Sequence, residues 1–560
     1  MILNKLKMIL RYYHTLKYLK LRQFFWRIRY RFFRNNTADL SPPPQMRDEN
    51  GIWKLPAARR ASMVANNCFL FLNQEGELNS VDDWQNHSSK LWLYNLHYFD
   101  DLNANGSSER TEWHSSLINQ WINDNPPAKG EGWEPYPLSI RIINWIKWHL
   151  KGNQLTPEAI ESLAIQTRWL TKRLEWHLLG NHLFINAKAL VFAGCFFHGI
   201  EADKWLEKGI EILLHEIPEQ ILQDGGHFER STMYHALAFE DMLDLYNISN
   251  RFPRAFKTWN KEISTWPEII KKMGQWLKAM SHPDGEISFF NDAAIGIAPT
   301  PSEIFRYAED LNIECADLTK EEVIWLRESG YIRINHHDIA LIIDIAPVGP
   351  DYLPGHAHAD TLSYELSIND KRIVINSGTS RYGLGAERER ERSTAAHSTI
   401  EVDKENSSEV WAGFRVARRA YPLQPEVLSN KNEISVSCSH NGYLRLPGRV
   451  IHKRTWNITE TQISILDQID GKYSSATSRI FFHPEIKPDL NNLEGHFSVD
   501  NQQFFWNLSN GDPVLSNSKY SPEFGVQMDN VCLEINIDSP TVEFRIELPN
   551  SNIQNSVQEI

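Results

Sequence analysis

The chain has 560 residues, 41% of them apolar, and a net charge of −13, a composition that points to a soluble globular protein of two or three domains. No apolar run approaches the roughly 20 residues of a membrane-spanning helix, and so acidic a chain gives no reason to expect a nucleic-acid partner. Five scattered cysteines with no CxxC pair argue against both a disulfide framework and a zinc finger.

The charge is unevenly spread. The first 34 residues carry ten Lys/Arg and no acid, interleaved with aromatics such as Tyr12, Tyr18, Trp26 and Tyr30; removing those ten positive charges leaves −23 on the remainder. No apolar h-region follows the basic residues, so a secretory signal is not expected. Localisation stays open between cytoplasm, membrane face and periplasm. The stretch suits a basic amphipathic helix on anionic lipid, a peripheral membrane contact, or helices that dock their aromatics on the body; docking is the favoured expectation. Pro42-Pro43-Pro44 marks a linker, giving a segment 1–45. From about 110 to 315 apolar residues recur three and four apart, as in Leu138 to Ile146, Ala159 to Leu178, His182 to Phe197, Trp205 to Ile217 and Met233 to Ile248. Stacked helical hairpins over 46–320 follow. After about 328 the period falls to 2, in Tyr331 to Ile334, Ile339 to Ile345, Thr361 to Ile368, Arg372 to Ile375, Ile434 to Cys438, Gln462 to Leu466 and Thr541 to Leu548. Short strands separated by turns predict an antiparallel β-sandwich over 321–560.

Three constellations carry chemistry. Gly180-Asn181-His182 opens an apolar helix, where Asn is either an N-cap or, with the imidazole, a holder of a carboxylate. Asp224 to His235 runs from a glycine turn into a helix. If that helix already includes Arg230, Arg230 and Tyr234 share a face, and a cation beside the phenol lowers its pKa. His356-Ala357-His358-Ala359-Asp360, read as a strand, points both histidines to one side; with Asn376 and His397 downstream, three ligands for a metal are available and one imidazole stays free. The run Glu387 to Arg392 either presents an arginine face to a polyanion or, if helical, makes surface ion pairs of little worth.

These motifs resemble those of the heparinase II/III-like polysaccharide lyases. The resemblance rests on Gly180-Asn181-His182, on Gly225-Gly226-His227-Phe228-Glu229-Arg230-Ser231 with Tyr234, on Gly355 to Asp360, on Ser377-Gly378-Thr379 with Tyr382, and on Arg392 to His397, in that order. Trp133-Glu134-Pro135-Tyr136 with Arg141 is similar to the family's early helical motif. The resemblance implies an incomplete (α/α) toroid followed by an antiparallel β-sandwich, and β-elimination at a uronic acid of an acidic polysaccharide. Asn181 and His182 match the positions that neutralise the uronate carboxylate, with Arg230 as helper. Tyr234 and His356 match the proton-transferring positions. Tyr136, Arg141, Arg381, Tyr382 and Arg392 are expected substrate contacts. His358, Asn376 and His397 match positions that hold zinc. Asn376 stands where the family has Asp, and a neutral amide is the weaker ligand; Asp360 is the nearest alternative carboxylate. Two other functions compete: a glycoside hydrolase using two of Glu134, Glu229 and Asp292, and a non-catalytic glycan-binding or exopolysaccharide-assembly protein on the same fold.

Overall fold

The structure is a computed structural model describing residues 2–32, 37–87 and 89–549. Helices dominate as far as Pro301–Asp310, and the strands of the large sheets begin at Val323–Leu326. The helices start and stop where local chemistry dictates. Thr232–Arg251 is capped by Ser231, whose hydroxyl accepts the Tyr234 amide. Pro135–Leu150 and Pro157–Thr171 place proline in the first turn, where its missing N–H costs nothing. The apolar pattern continues past Thr171, yet the chain leaves the helix there. The Glu175 amide donates instead to Asn186 Oδ1 at 2.8 Å, and the amides of Leu178 and Leu179 return to the Glu175 carbonyl. The helical part also holds a three-stranded antiparallel sheet, Met63–Ala65, Cys68–Phe71 and Gln74–Glu77, which the periodicity did not announce.

Most of the abundant tryptophan is packing. Trp84, Trp121, Trp145 and Trp266 are fully enclosed in the helical core. The strands form a five-stranded sheet from Val323 to Val374, a seven-stranded sheet and a four-stranded sheet, with antiparallel pairing throughout. Leu341, Trp456 and Ile480, one from each sheet, belong to one apolar core. Strand pleating puts alternate residues there. The helical and sheet parts are fastened together. Ser329 donates its amide to Asp224 at 2.8 Å, and His282 Nε2 meets Glu365 at 2.8 Å.

The basic N-terminal segment docks on the body through one face, as expected, and reaches both parts. From the helix Ile2–Leu16, Tyr12 meets Trp411 edge-on at 5.0 Å, Thr15 accepts the Trp411 indole N–H at 3.2 Å, and the Arg419 guanidinium lies 3.8 Å over Tyr18, just beyond the helix end. From Leu21–Phe32, Trp26 stacks on Trp176 at 6.1 Å, Tyr30 donates to the Leu174 carbonyl, and Gln23 Nε2 donates to the Tyr352 carbonyl at 3.4 Å. The prolines 42–44 run beside the helical part: Arg168 donates to the Ser41 and Pro42 carbonyls.

Candidate active site

A cavity of about 830 Å³ lies where the helical part, the sheet part and the N-terminal helices meet. Of the candidate site residues named above, Tyr136, Asn181, His182, Glu229, Tyr234, His356 and Tyr382 line it. Arg141, Arg230, Arg381 and Arg392 do not.

Asn181 and His182 sit in the first turn of Gly180–Phe196. The N-cap is Leu179, not Asn181, so the Asn181 amide is not spent on capping. Gly180 has φ +55°, and a Cβ there would stand 2.2 Å from Leu353, so the turn requires glycine. His182 Nδ1 contacts Glu175 Oε1 at 3.0 Å, and its ring lies 4.6 Å from that of Tyr136. Burial disfavours the charged imidazole, but Glu175, by charge and hydrogen bond, outweighs it and raises the His182 pKa.

The Tyr234 and His356 rings face each other at 4.0 Å, tilted by 33°. The Tyr234 hydroxyl is 2.9 Å from that of Tyr382. Burial first, then Tyr382 and the Asp292 charge, push the Tyr234 pKa well above its ordinary value, so the phenol is protonated. The expected lowering by Arg230 does not occur. Arg230 precedes the helix at φ +59° and donates to the carbonyls of Ser329 and Phe228. The Ser231 cap starts the helix at Thr232, two residues too late for the i, i+4 pairing.

His356 and His358 lie in a loop rather than a strand, and a carboxylate gathers them. His356 Nδ1 is 2.9 Å from Asp292 Oδ2, and His358 Nε2 is 2.8 Å from Asp292 Oδ1. Arg388 clamps the same carboxylate through both terminal nitrogens. Asp292 and Arg388 are fully buried. Burial alone would raise the Asp292 pKa; Arg388 and the two imidazoles reverse this and hold it well below the usual carboxylate range. Asp292 therefore stays ionised and keeps a proton on His356 Nδ1, which leaves Nε2 as the free ring nitrogen. Nε2 stands 3.9 Å from a Glu229 oxygen. The Glu229 carboxyl is buried with no hydrogen-bond partner among the described residues, and burial raises its pKa.

The arginines move to other tasks. Arg392 donates twice to the Ala357 carbonyl, at 3.0 and 2.8 Å, fixing the loop between the two histidines. Arg141 is wholly buried, donating to Gln166 and the Gly132 carbonyl with its guanidinium 3.8 Å over Trp121. Arg381 is exposed outside the cavity. The Glu387 to Arg392 run is a short helix, Ala386–Glu391, in which Arg390 makes the surface pair with Glu387 while Arg388 turns inward. Asp292 and Arg388 are the residues the sequence reading undervalued. The available signal was the Asn291-Asp292 pair set between Phe289-Phe290 and Ala293-Ala294.

His358 Nδ1 and His397 Nε2 face each other at 3.2 Å. Ligand atoms of His358, Asp360 and His397, all buried, lie within 4.8 Å of one another. Two imidazole nitrogens and a carboxylate at this separation fit a zinc ion. Asn376 Oδ1 lies 3.0 Å from His397 Nδ1, the ring nitrogen turned away from His358. That placement sets Asn376 outside the cluster, where an amide can orient the His397 ring, and makes Asp360 the carboxylate within reach of both imidazoles.

Two family profiles match the chain: "Heparinase II/III N-terminus" over residues 63–308 and "Heparinase II/III-like, C-terminal" over 319–547. A heparin-sulfate lyase of Bacteroides stercoris is 24% identical over 349 residues, covering 53% of this chain and 50% of its own length. The Pedobacter heparinus heparin-sulfate lyase is 23% identical over 58% of this chain and 52% of its own. The chain thus spans about half the length of the curated relatives it matches. Among solved structures, a heparinase III superposes with a TM-score of 0.65 at 18% identity, covering 85% of this chain and 78% of that one. A heparan sulfate lyase from Pedobacter heparinus gives 0.56 at 17%, covering 86% and 81%.

Proposed function

Because this chain belongs to the heparinase II/III family, we propose that it is a polysaccharide lyase that cleaves a uronate-containing polymer by β-elimination. The helical part is then an incomplete (α/α) toroid and the sheets a β-sandwich, with the cleft at their junction. One observation carries the reading: Asn181, His182, Tyr234, Tyr382 and His356 converge on a single cavity.

The chemistry assigns each residue a task. Removing the C5 proton of a uronate builds negative charge on a group already charged. The Asn181 amide and the protonated His182 neutralise the carboxylate so that the enolate can form. His356, with Nδ1 held by Asp292, takes the C5 proton at Nε2; the Asp292 charge stabilises the imidazolium that results. Tyr234, kept protonated by burial, donates to the departing O4, with Tyr382 orienting its hydroxyl. A zinc ion on His358, Asp360 and His397 would stiffen the loop that carries His356. Metal analysis of the purified protein checks that assignment, and a zinc-free protein with full activity would sink it.

The three carboxylates named for the hydrolase reading do not come together in the cavity. Glu134 is bound to Lys90 and the Tyr94 hydroxyl, away from the cavity lining, and Asp292 is sealed beneath Arg388. Of the three, only Glu229 faces the cavity.

The test is incubation with a panel of uronate polymers. Products with an unsaturated C4–C5 bond, seen as ultraviolet absorbance, are expected; saturated reducing ends would refute elimination. The pH profile adds a second readout. A raised His182 pKa means its charge, and the stability of its pair with Glu175, is complete below the free-histidine value of 6.5. Both are lost as pH rises through the higher folded value. Activity should fall on that alkaline limb, and Glu175→Gln should move the limb to lower pH.

A further inference from the structure

The N-terminal helices bury one face and leave another apolar face uncovered. In Leu21–Phe32 the docked residues Gln23, Trp26 and Tyr30 point to the body, while Leu21, Phe25, Ile28 and Phe32, spaced four, three and four, are each more than half exposed. At 100° per residue these four form one stripe on the side opposite the docked face. Ile9 and Tyr13 of Ile2–Leu16 are likewise exposed at i, i+4, opposite the docked Thr15 and the helix-end Tyr18. A stripe with this spacing normally faces a core; here it faces outward.

Charge selects its occupant. Arg29 and Arg31 flank the second stripe on either shoulder, and Lys17 follows the first; none of the three forms an ion pair among the described residues. The segment has no acid within its first 34 residues, while the rest of the chain carries −23. Apolar stripes flanked by cations are what inserts at the headgroup boundary of an anionic bilayer. The acidic body is repelled by the same surface, which orients the molecule helices first. A second copy of so basic a segment would meet like charge. No described helix is long and apolar enough to cross a membrane.

We propose that the two N-terminal helices are a peripheral membrane-docking surface for anionic phospholipid. Leu16, Gln23 and Arg27 of the same helices line the cavity, so the segment that would meet lipid also forms part of the cavity wall. The proposal is independent of the lyase reading.

Flotation of the full chain with phosphatidylcholine vesicles, with and without phosphatidylglycerol, tests it. Partition should be at least tenfold greater with the anionic lipid and should weaken with salt. Phe25→Glu with Ile28→Glu should reduce it by tenfold or more with an unchanged melting temperature, because both side chains are exposed and outside the cavity. Equal partition on neutral and anionic vesicles, or none on either, would overturn the proposal. So would a wild-type dimer that the same double variant converts to monomer, since the stripe would then be a subunit contact.

Discussion

Tyr234→Phe should lower kcat/KM on a cleaved uronate polymer by about 10²–10⁴-fold, the usual weight of one positioned acid or base, and leave the fold intact. The two halves of that statement rest on different magnitudes. The hydroxyl contacts Tyr382 at 2.9 Å and is otherwise aimed into the cavity. Deleting it costs one net hydrogen bond, about 0.5–1.5 kcal/mol, small beside the 5–15 kcal/mol that holds a domain together. The ring itself, tilted against His356 at 4.0 Å, is retained. Circular dichroism and thermal melting check the fold, and release of unsaturated product checks the chemistry. A variant that keeps more than a tenth of the activity would remove Tyr234 from the proton transfers.

Asp292→Asn should be worse for the molecule as a whole. The substitution keeps the volume and removes the charge, leaving Arg388 buried without a counter-ion; breaking such a pair costs about 3–5 kcal/mol. It also misplaces hydrogen bonds. The carboxylate accepts from His356, His358 and Arg388 at once, whereas one side of an amide can only donate. His356 then loses the partner that fixes its tautomer, so activity should fall along with stability. Denaturant unfolding measures the first effect. In the double variant Asp292→Asn with Arg388→Met the buried cation is gone as well, so the two changes should sum to less than their separate costs. A loss below about 1 kcal/mol in the single variant would show that the cluster is hydrated.

Much of this arrangement was legible because it is local. The 3.6-residue period carried the helices around Leu138 and Met233, and the period of 2 carried the strands around Ile339 and Gln462. Asn181 with His182, and His356 with His358, are near neighbours in sequence, so their chemistry could be read together. Asp292 and Arg388 are 96 residues apart, and their partnership exists only once the two parts meet. From the sequence, Arg388 looked like its solvated neighbour Arg390, because nothing in an alternating charge run says which member turns inward. Arg230 fails for a subtler reason: its expected pairing with Tyr234 hung on where a helix begins, and Ser231 sets that start. Arg141 carries the right charge in the right motif, but Trp121 and Gln166 bury it.

The two basic helices are synthesised long before some of the residues they dock on. Thr15 waits for Trp411, 396 positions later, and Tyr18 for Tyr421, 403 later. At roughly 5–20 residues per second, translation leaves an interval of about 20–80 s in which neither contact can form. Closing a loop of that length is entropically expensive, and only the assembled body supplies the return. Seating of Ile2–Leu16 therefore registers that the sheet part has folded, whereas Leu21–Phe32 finds Leu174 and Trp176 only about 150 residues after itself, so during the interval the face of the first helix that will meet Trp411 stays open to whatever surface it meets.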